Sequence, residues 1–188
     1  MALEKRLGRE LTATADTFNA ALEHINPTNG NYPERMVSYY YIQALAKTLA
    51  PASVLLELPV TGKHGRADNH IDALIFNDCE LIVAEFKVGW ASSHWQALAH
   101  DLSRLRGPVA QEILEKFYRK RRRKQWAFLG TDCCNRNDAD VWKSGKPVRR
   151  RIVPPALLDA YRDYVPVWHA KGPGYDGCYL TWALLPFG

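Results

Sequence analysis

The sequence predicts an α/β protein, a three-layer α/β/α sandwich with helices on both sides of a mixed sheet. Three observations carry this reading. Leu3, Leu7, Leu11, Phe18 and Leu22 recur at steps that keep one helical face apolar. Three short runs of branched apolar residues then follow closely, between Ser53 and Val88. A helical stretch separates the third run from a fourth near Gln125, which is the crossover a parallel strand pair requires.

Taken in order, the first helix spans about 3–24 and ends at Asn26-Pro27-Thr28-Asn29-Gly30, where Pro and Gly favour a turn. Pro33 suits the first position of a second helix, which runs to about Ala50 before Pro51 stops it. Ser53–Val60 reads as a strand, Thr61–Arg66 as a basic loop containing glycine, and His70–Phe76 and Glu80–Val88 as two further strands. Only Asn77-Asp78-Cys79 separates the last two, so they form a tight antiparallel hairpin. Ser93 is a candidate N-cap for a helix to Leu105, and Gly107-Pro108 divides it from a second helical stretch ending near Arg121. Gln125–Gly130 is the fourth strand, and the polar segment Thr131–Lys146 reads as a long loop. Pro155–Val165 is a short helix candidate and Gly177–Leu185 a last strand.

The chain has 188 residues, enough for one domain that buries a substantial core. That domain is read as 1–188, with a core over about 33–130, a helical extension over 1–30 and a C-terminal extension over 131–188. No apolar stretch approaches the ~20 residues that span a bilayer, and the N-terminus lacks a signal peptide's apolar segment. The expectation is a cytoplasmic protein with no membrane partner. Cys79, Cys133, Cys134 and Cys178 contain no C-x-x-C pair, which argues against structural zinc and for reduced structural thiols.

The sharpest chemical feature lies in the hairpin. Asp72 is on the second strand, sharing a face with Leu74 and Phe76, while Glu85 and Lys87 point to one side of the third. An isolated E-x-K of this kind is ordinarily an edge strand facing water. Here LIVAEFKV is apolar on both faces up to Ala84, which suits a buried central strand. Buried charges need partners, and a divalent metal would supply one. Two carboxylates and the backbone carbonyl of Phe86 are the hard oxygen ligands Mg2+ takes, with positions left for water and phosphate. Lys87 would then orient the water and stabilise negative charge developing on the phosphate. Asp68 is the rival to Asp72, which enters the apolar strand directly.

Ile71-Asp72 followed by Glu85-Phe86-Lys87 after an apolar run resembles the PD-(D/E)xK nuclease superfamily, which includes restriction endonucleases and Holliday-junction resolvases. Ile71 stands at the nominal Pro. The resemblance implies a restriction endonuclease-like αβββαβ core over about 33–130 and Mg2+-dependent (or Mn2+-dependent) hydrolysis of phosphodiester bonds in DNA. It assigns Asp72 and Glu85 as metal ligands and Lys87 as the water-positioning residue. Glu34, early in the second helix, matches an accessory acid of the metal site, and is also the charge a helix N-terminus favours. Gln96 matches a helical Gln of the family, with His100 where a Tyr is expected. The resemblance also admits a homodimer. A non-catalytic nucleic-acid-binding or partner-binding module on the same fold is the alternative.

A nucleic-acid partner fits the charge. The chain carries 25 Lys and Arg against 20 Asp and Glu, a net +5. Arg119, Lys120, Arg121, Arg122, Arg123 and Lys124 are consecutive, and removing these six charges leaves −1. Such a run suits a phosphate backbone, with Lys63, His64 and Arg66 as further contacts and Arg149-Arg150-Arg151 as a second cluster. The same run also serves helix C-termini, or resembles a nuclear-import signal. Tyr39-Tyr40-Tyr41 must turn at least one ring outwards if helical, and Trp90 and Trp95 could stack on bases or pack in the core.

Overall fold

The computed structural model describes residues 2–25, 34–60, 69–87, 92–107, 111, 115, 124–133, 135–146, 153–168 and 177–186. Helix α1 covers Leu3–Ile25 and α2 Glu34–Thr48. Strands β1 (Ser53–Val60), β2 (Asn69–Phe76) and β3 (Glu80–Phe86) follow. Then come α3 (Ser92–Arg106), β4 (Lys124–Cys133), α4 (Arg136–Ser144), β5 (Tyr161–Trp168) and β6 (Cys178–Pro186). The six strands form one mixed sheet in the order β1-β2-β3-β4-β6-β5. The β3–β4 pair is parallel and the other pairs are antiparallel. No helix among the described residues is long and apolar enough to cross a membrane.

Each face of the sheet carries its own apolar core. On one, Leu7, Leu11 and Phe18 of α1 and Tyr41 and Leu45 of α2 pack on Ala73, Ile82, Ala84 and Phe128. On the other, Leu102 and Leu105 of α3 and Val141 and Trp142 of α4 pack on Leu74, Leu81, Val83 and Leu129. This two-sided burial explains why β3 reads as an apolar run. The hairpin is tight as expected: Asn77 Oδ1 accepts from the amides of Cys79 and Glu80, both at 2.8 Å. Of the three tyrosines, Tyr39 is exposed while Tyr40 and Tyr41 are buried.

Four expectations change. Ser93 lies inside α3, one residue after its start, and so is not the N-cap. Segment 131–146 is no loop: Thr131–Cys133 prolong β4, and α4 occupies Arg136–Ser144. The polar surface of α4 hid it, but Asn135 caps Asp138, Gly145 closes the helix at φ +69°, and Ala139, Val141 and Trp142 are buried. Pro155–Val165 is not a helix, because one 3-10 turn at Pro155–Leu157 gives way to β5. Val165 and Val167 alternate there with exposed Pro166, a residue an edge strand tolerates. Of the stretch after Gly107, only Gln111 and Glu115 are described, both helical.

The fourth change concerns strand faces. Ala73 and Ile75 point to the α1–α2 side and Leu74 to the α3 side, as alternation requires. Ile71 should follow Ala73, yet it joins Leu58 in the α3-side core. The reversal occurs where Glu57 sits opposite Asp72, and Glu57 has φ +49°, a left-handed value unusual for a residue with a side chain. Asp72 therefore stands at a twist between faces rather than simply beside Leu74 and Phe76.

Gly130 matters for a different reason. A Cβ there would lie 2.8 Å from two ring carbons of Tyr41. That ring packs near-parallel to Phe86, with centroids 5.7 Å apart, and its hydroxyl lies 2.5 Å from the Thr131 carbonyl and 2.7 Å from that of Thr181. Both the ring and the β4 backbone are pinned, so neither can easily retreat. Gly130→Ala should cost about 1–3 kcal/mol, read as a lower urea midpoint with unchanged slope.

Candidate functional site: a buried carboxylate pair on β2 and β3

The β2–β3 ladder stops at Ala73–Ala84, one pair short of Asp72 and Glu85. Beyond it the Phe86 amide donates to the Asp72 carboxylate, Oδ2, at 2.7 Å. A side chain thus takes over from a strand carbonyl. The N–H and C=O of one residue face the same neighbouring strand, so the Phe86 carbonyl borders the same opening. On the other edge of β3, the Lys87 amide donates to the Gly130 carbonyl at 2.9 Å, fixing the chain just past Glu85 against β4.

Glu85 is buried, and its carboxyl hydrogen-bonds that of Asp72. Burial, then the negative charge of Asp72, push its pKa up from 4.5 to about 9, against an opposing pull from Arg104. At neutral pH the pair holds one proton, donated from Glu85 to Asp72. Helix α3 brings two more charged groups. Arg104 places Nη1 3.1 Å from Asp101 Oδ1 and Nη2 3.4 Å from Glu85 Oε1, and Nη2 donates to the His70 carbonyl at 2.9 Å. The Lys87 Nζ lies 3.4 Å from Asp101 Oδ2.

Asp72 also borders a cleft of about 410 Å³ between α2 and β1, where Tyr39, Ile42, Leu56 and Glu57 line it with Phe86. Tyr39 and Leu56 are both 56% exposed there, so one side of the carboxylate pair opens to solvent next to apolar surface.

Asp72 and Glu85 are therefore brought together, while the Lys87 side chain meets Asp101, which Arg104 joins to Glu85. Glu34 is the first residue of α2, but its side chain lies outside the described residues. Gln96 is exposed on α3, and His100 is exposed with Nδ1 3.8 Å from Asp101 Oδ1. Lys63, Arg66, Asp68, Trp90 and the run Arg119, Lys120, Arg121, Arg122 and Arg123 lie outside the described residues. Lys124 opens β4 with an exposed side chain. Sequence reasoning missed Asp101 and Arg104. A signal was present: Leu98, Asp101, Leu102 and Leu105 follow helical spacing, so an acid occupies an apolar stripe.

Among the described residues, no group of three or more His, Cys, Asp and Glu side chains is placed to hold a metal ion. What fits a cation is the pair itself, two carboxyls in contact that share a proton for want of positive charge. No protein-family model, no curated protein and no solved structure matches the chain.

The raised Glu85 pKa has a consequence for stability. Between 4.5 and about 9 the folded protein holds a proton that the unfolded chain has released. Stability from this group is therefore fully present below 4.5 and is lost as pH rises towards 9, by at most about 1.4 kcal/mol per unit. Glu85→Gln should flatten that decline and stabilise the metal-free protein by about 2–4 kcal/mol at pH 8, measured by urea denaturation in EDTA from pH 5 to 9.

Proposed function

We propose that this centre hydrolyses phosphodiester bonds in DNA with a bound divalent cation, as the resemblance to PD-(D/E)xK nucleases implies. The observation that carries the reading is the contact of the Asp72 and Glu85 carboxyls where β2 and β3 part, with Lys87 two residues further on and ion-paired to Asp101. The order α2-β1-β2-β3-α3-β4 supports it, since it repeats the αβββαβ succession of that family.

Asp72, Glu85 and the Phe86 carbonyl would hold Mg2+ or Mn2+, with Glu34 as an accessory acid. When bound, the ion supplies Lewis-acid polarisation of a phosphate oxygen and a more acidic water. The residues of the chain do the rest. Glu85 would hold the cation as a carboxylate, having released its proton to solvent, because opposite charge nearby favours the ionised form. Asp72 keeps its hydrogen bond from the Phe86 amide, so the ligand arm stays oriented. Lys87 donates hydrogen bonds to the attacking water or to the phosphate oxygen that gains charge. The basic run ending at Lys124 would hold the DNA backbone.

Incubation with plasmid, single-stranded DNA and RNA in Mg2+ or Mn2+ tests this. DNA should be cleaved, EDTA should abolish cleavage, and Asp72→Asn and Lys87→Ala should each lower the rate at least ~100-fold. Activity that survives both substitutions would sink the site. Salt-sensitive binding without cleavage, unaffected by Asp72→Asn and weakened by neutralising Arg121, Arg122 and Arg123, would identify a binding module instead.

A further inference from the structure

Lys87 shares its strand face with Glu85, yet its ion pair is with the helix above. Nζ lies 3.4 Å from Asp101 Oδ2, and that oxygen is buried with no hydrogen-bond partner among the described residues. The Asp101 side chain is only 5% exposed, whereas that of Lys87 is 37% exposed. A carboxylate so far from water needs a cation, and a four-carbon amine so close to water needs a reason not to point outwards. Each supplies what the other lacks.

Asp101 is itself held. Its second oxygen, Oδ1, accepts from Arg104 Nη1 at 3.1 Å, and Arg104 reaches on to the His70 carbonyl of β2 and to Glu85 of β3. The oxygen facing Lys87 is thus fixed by a guanidinium anchored at three points. A flat, forked donor set holds such a geometry better than an ammonium would.

We infer that Asp101 is a positioning residue for the nuclease centre. It sets the direction of the Lys87 ammonium two residues beyond Glu85, and Arg104 fixes Asp101 in turn. The inference rests on the nuclease reading for its catalytic consequence, but not for the ion pair itself. With Asp101 in place, Lys87 serves as a cationic hydrogen-bond donor whose direction is set before substrate arrives.

The ion pair is tested on the whole protein by limited acetylation with acetic anhydride, followed by mass spectrometry. An amine must leave its carboxylate to react, so Lys87 should acetylate at least about fivefold more slowly than exposed Lys146. Asp101→Asn should largely close that gap. Equal Lys87 reactivity in wild type and Asp101→Asn would overturn the inference, whatever the cleavage assay gives. Should Asp101→Asn fail to fold, Arg104→Gln loosens Asp101 from a partly exposed position and should raise Lys87 labelling in the same direction.

The catalytic consequence is read separately. Asp101→Asn should lower kcat about 10–100-fold while KM and the Mn2+ dissociation constant stay within about threefold. If the effect on rate runs through Lys87, the double variant with Lys87→Ala should be no slower than Lys87→Ala alone. A double variant slower than Lys87→Ala, or a raised KM at unchanged kcat, overturns the positioning role. Wild-type levels of cleavage by Lys87→Ala would instead remove the nuclease reading, with the acetylation result still deciding the ion pair.

Discussion

The structure is organised around one costly arrangement, a carboxyl buried on an interior strand in contact with a second carboxyl. Glu85 lies on β3, between β2 and β4, with apolar cores on both faces. Leaving two ionised groups there would cost several kcal/mol. Three features lower that cost. Glu85 keeps a proton, Asp72 receives the Phe86 amide, and Arg104 brings a guanidinium to the edge of the pair. The second depends on β2 and β3 being unpaired before Ala73, because a continued ladder would place a strand carbonyl against Phe86.

The rest of the fold fixes where that opening lies. Phe86 packs against Tyr41 and Phe128, and Tyr41 passes over Gly130 to reach the carbonyls of β4 and β6. Gly130 pairs with Phe86 across the parallel ladder and accepts from Lys87. One aromatic cluster therefore locks the residue between Glu85 and Lys87 and the backbone on either side of it. A site built on such rigid elements holds its side chains more closely than one on loops. The C-terminal strands share this work, since β6 lies directly against β4, offers the Thr181 carbonyl to Tyr41 and carries Trp182 into the same core.

The hairpin was legible because two signals coincide there. Apolar residues on both faces mark a buried strand, and a three-residue turn leaves little choice of connection. The pairing of Asp72 with Glu85 followed from that; three consecutive tyrosines in a helix separately required one outward ring, and Tyr39 is the exposed one. The exact aim of Asp72 did not follow, because it depends on a left-handed backbone at Glu57, which no side-chain pattern encodes. Helix α4 and strand β5 were hidden for another reason. Each buries only part of one face, so polar residues outnumber the apolar ones that set the period. Asp101 was hidden because an acid interrupts the apolar stripe of Leu98, Leu102 and Leu105. Its helical stripe shows the acid plainly once an apolar face is allowed to contain a charge.

Charge balance links the observed centre to its proposed use. With Glu85 protonated, Asp72 and Asp101 carry two formal negative charges, and Lys87 and Arg104 carry two positive ones. The five groups are neutral together, so the protein tolerates them in a partly buried place. Loss of the Glu85 proton alone would leave one net negative charge, and burial together with the Asp72 charge holds that proton up to about pH 9. Exchange of the proton for a divalent cation would instead leave one net positive charge. A phosphodiester carries one negative charge and would restore neutrality. Neither the cation without the phosphate nor the phosphate without the cation gives that balance. On the proposed function, the arrangement would be electrically complete in two states, one protonated and empty, the other holding both reaction partners, and that would favour binding them together.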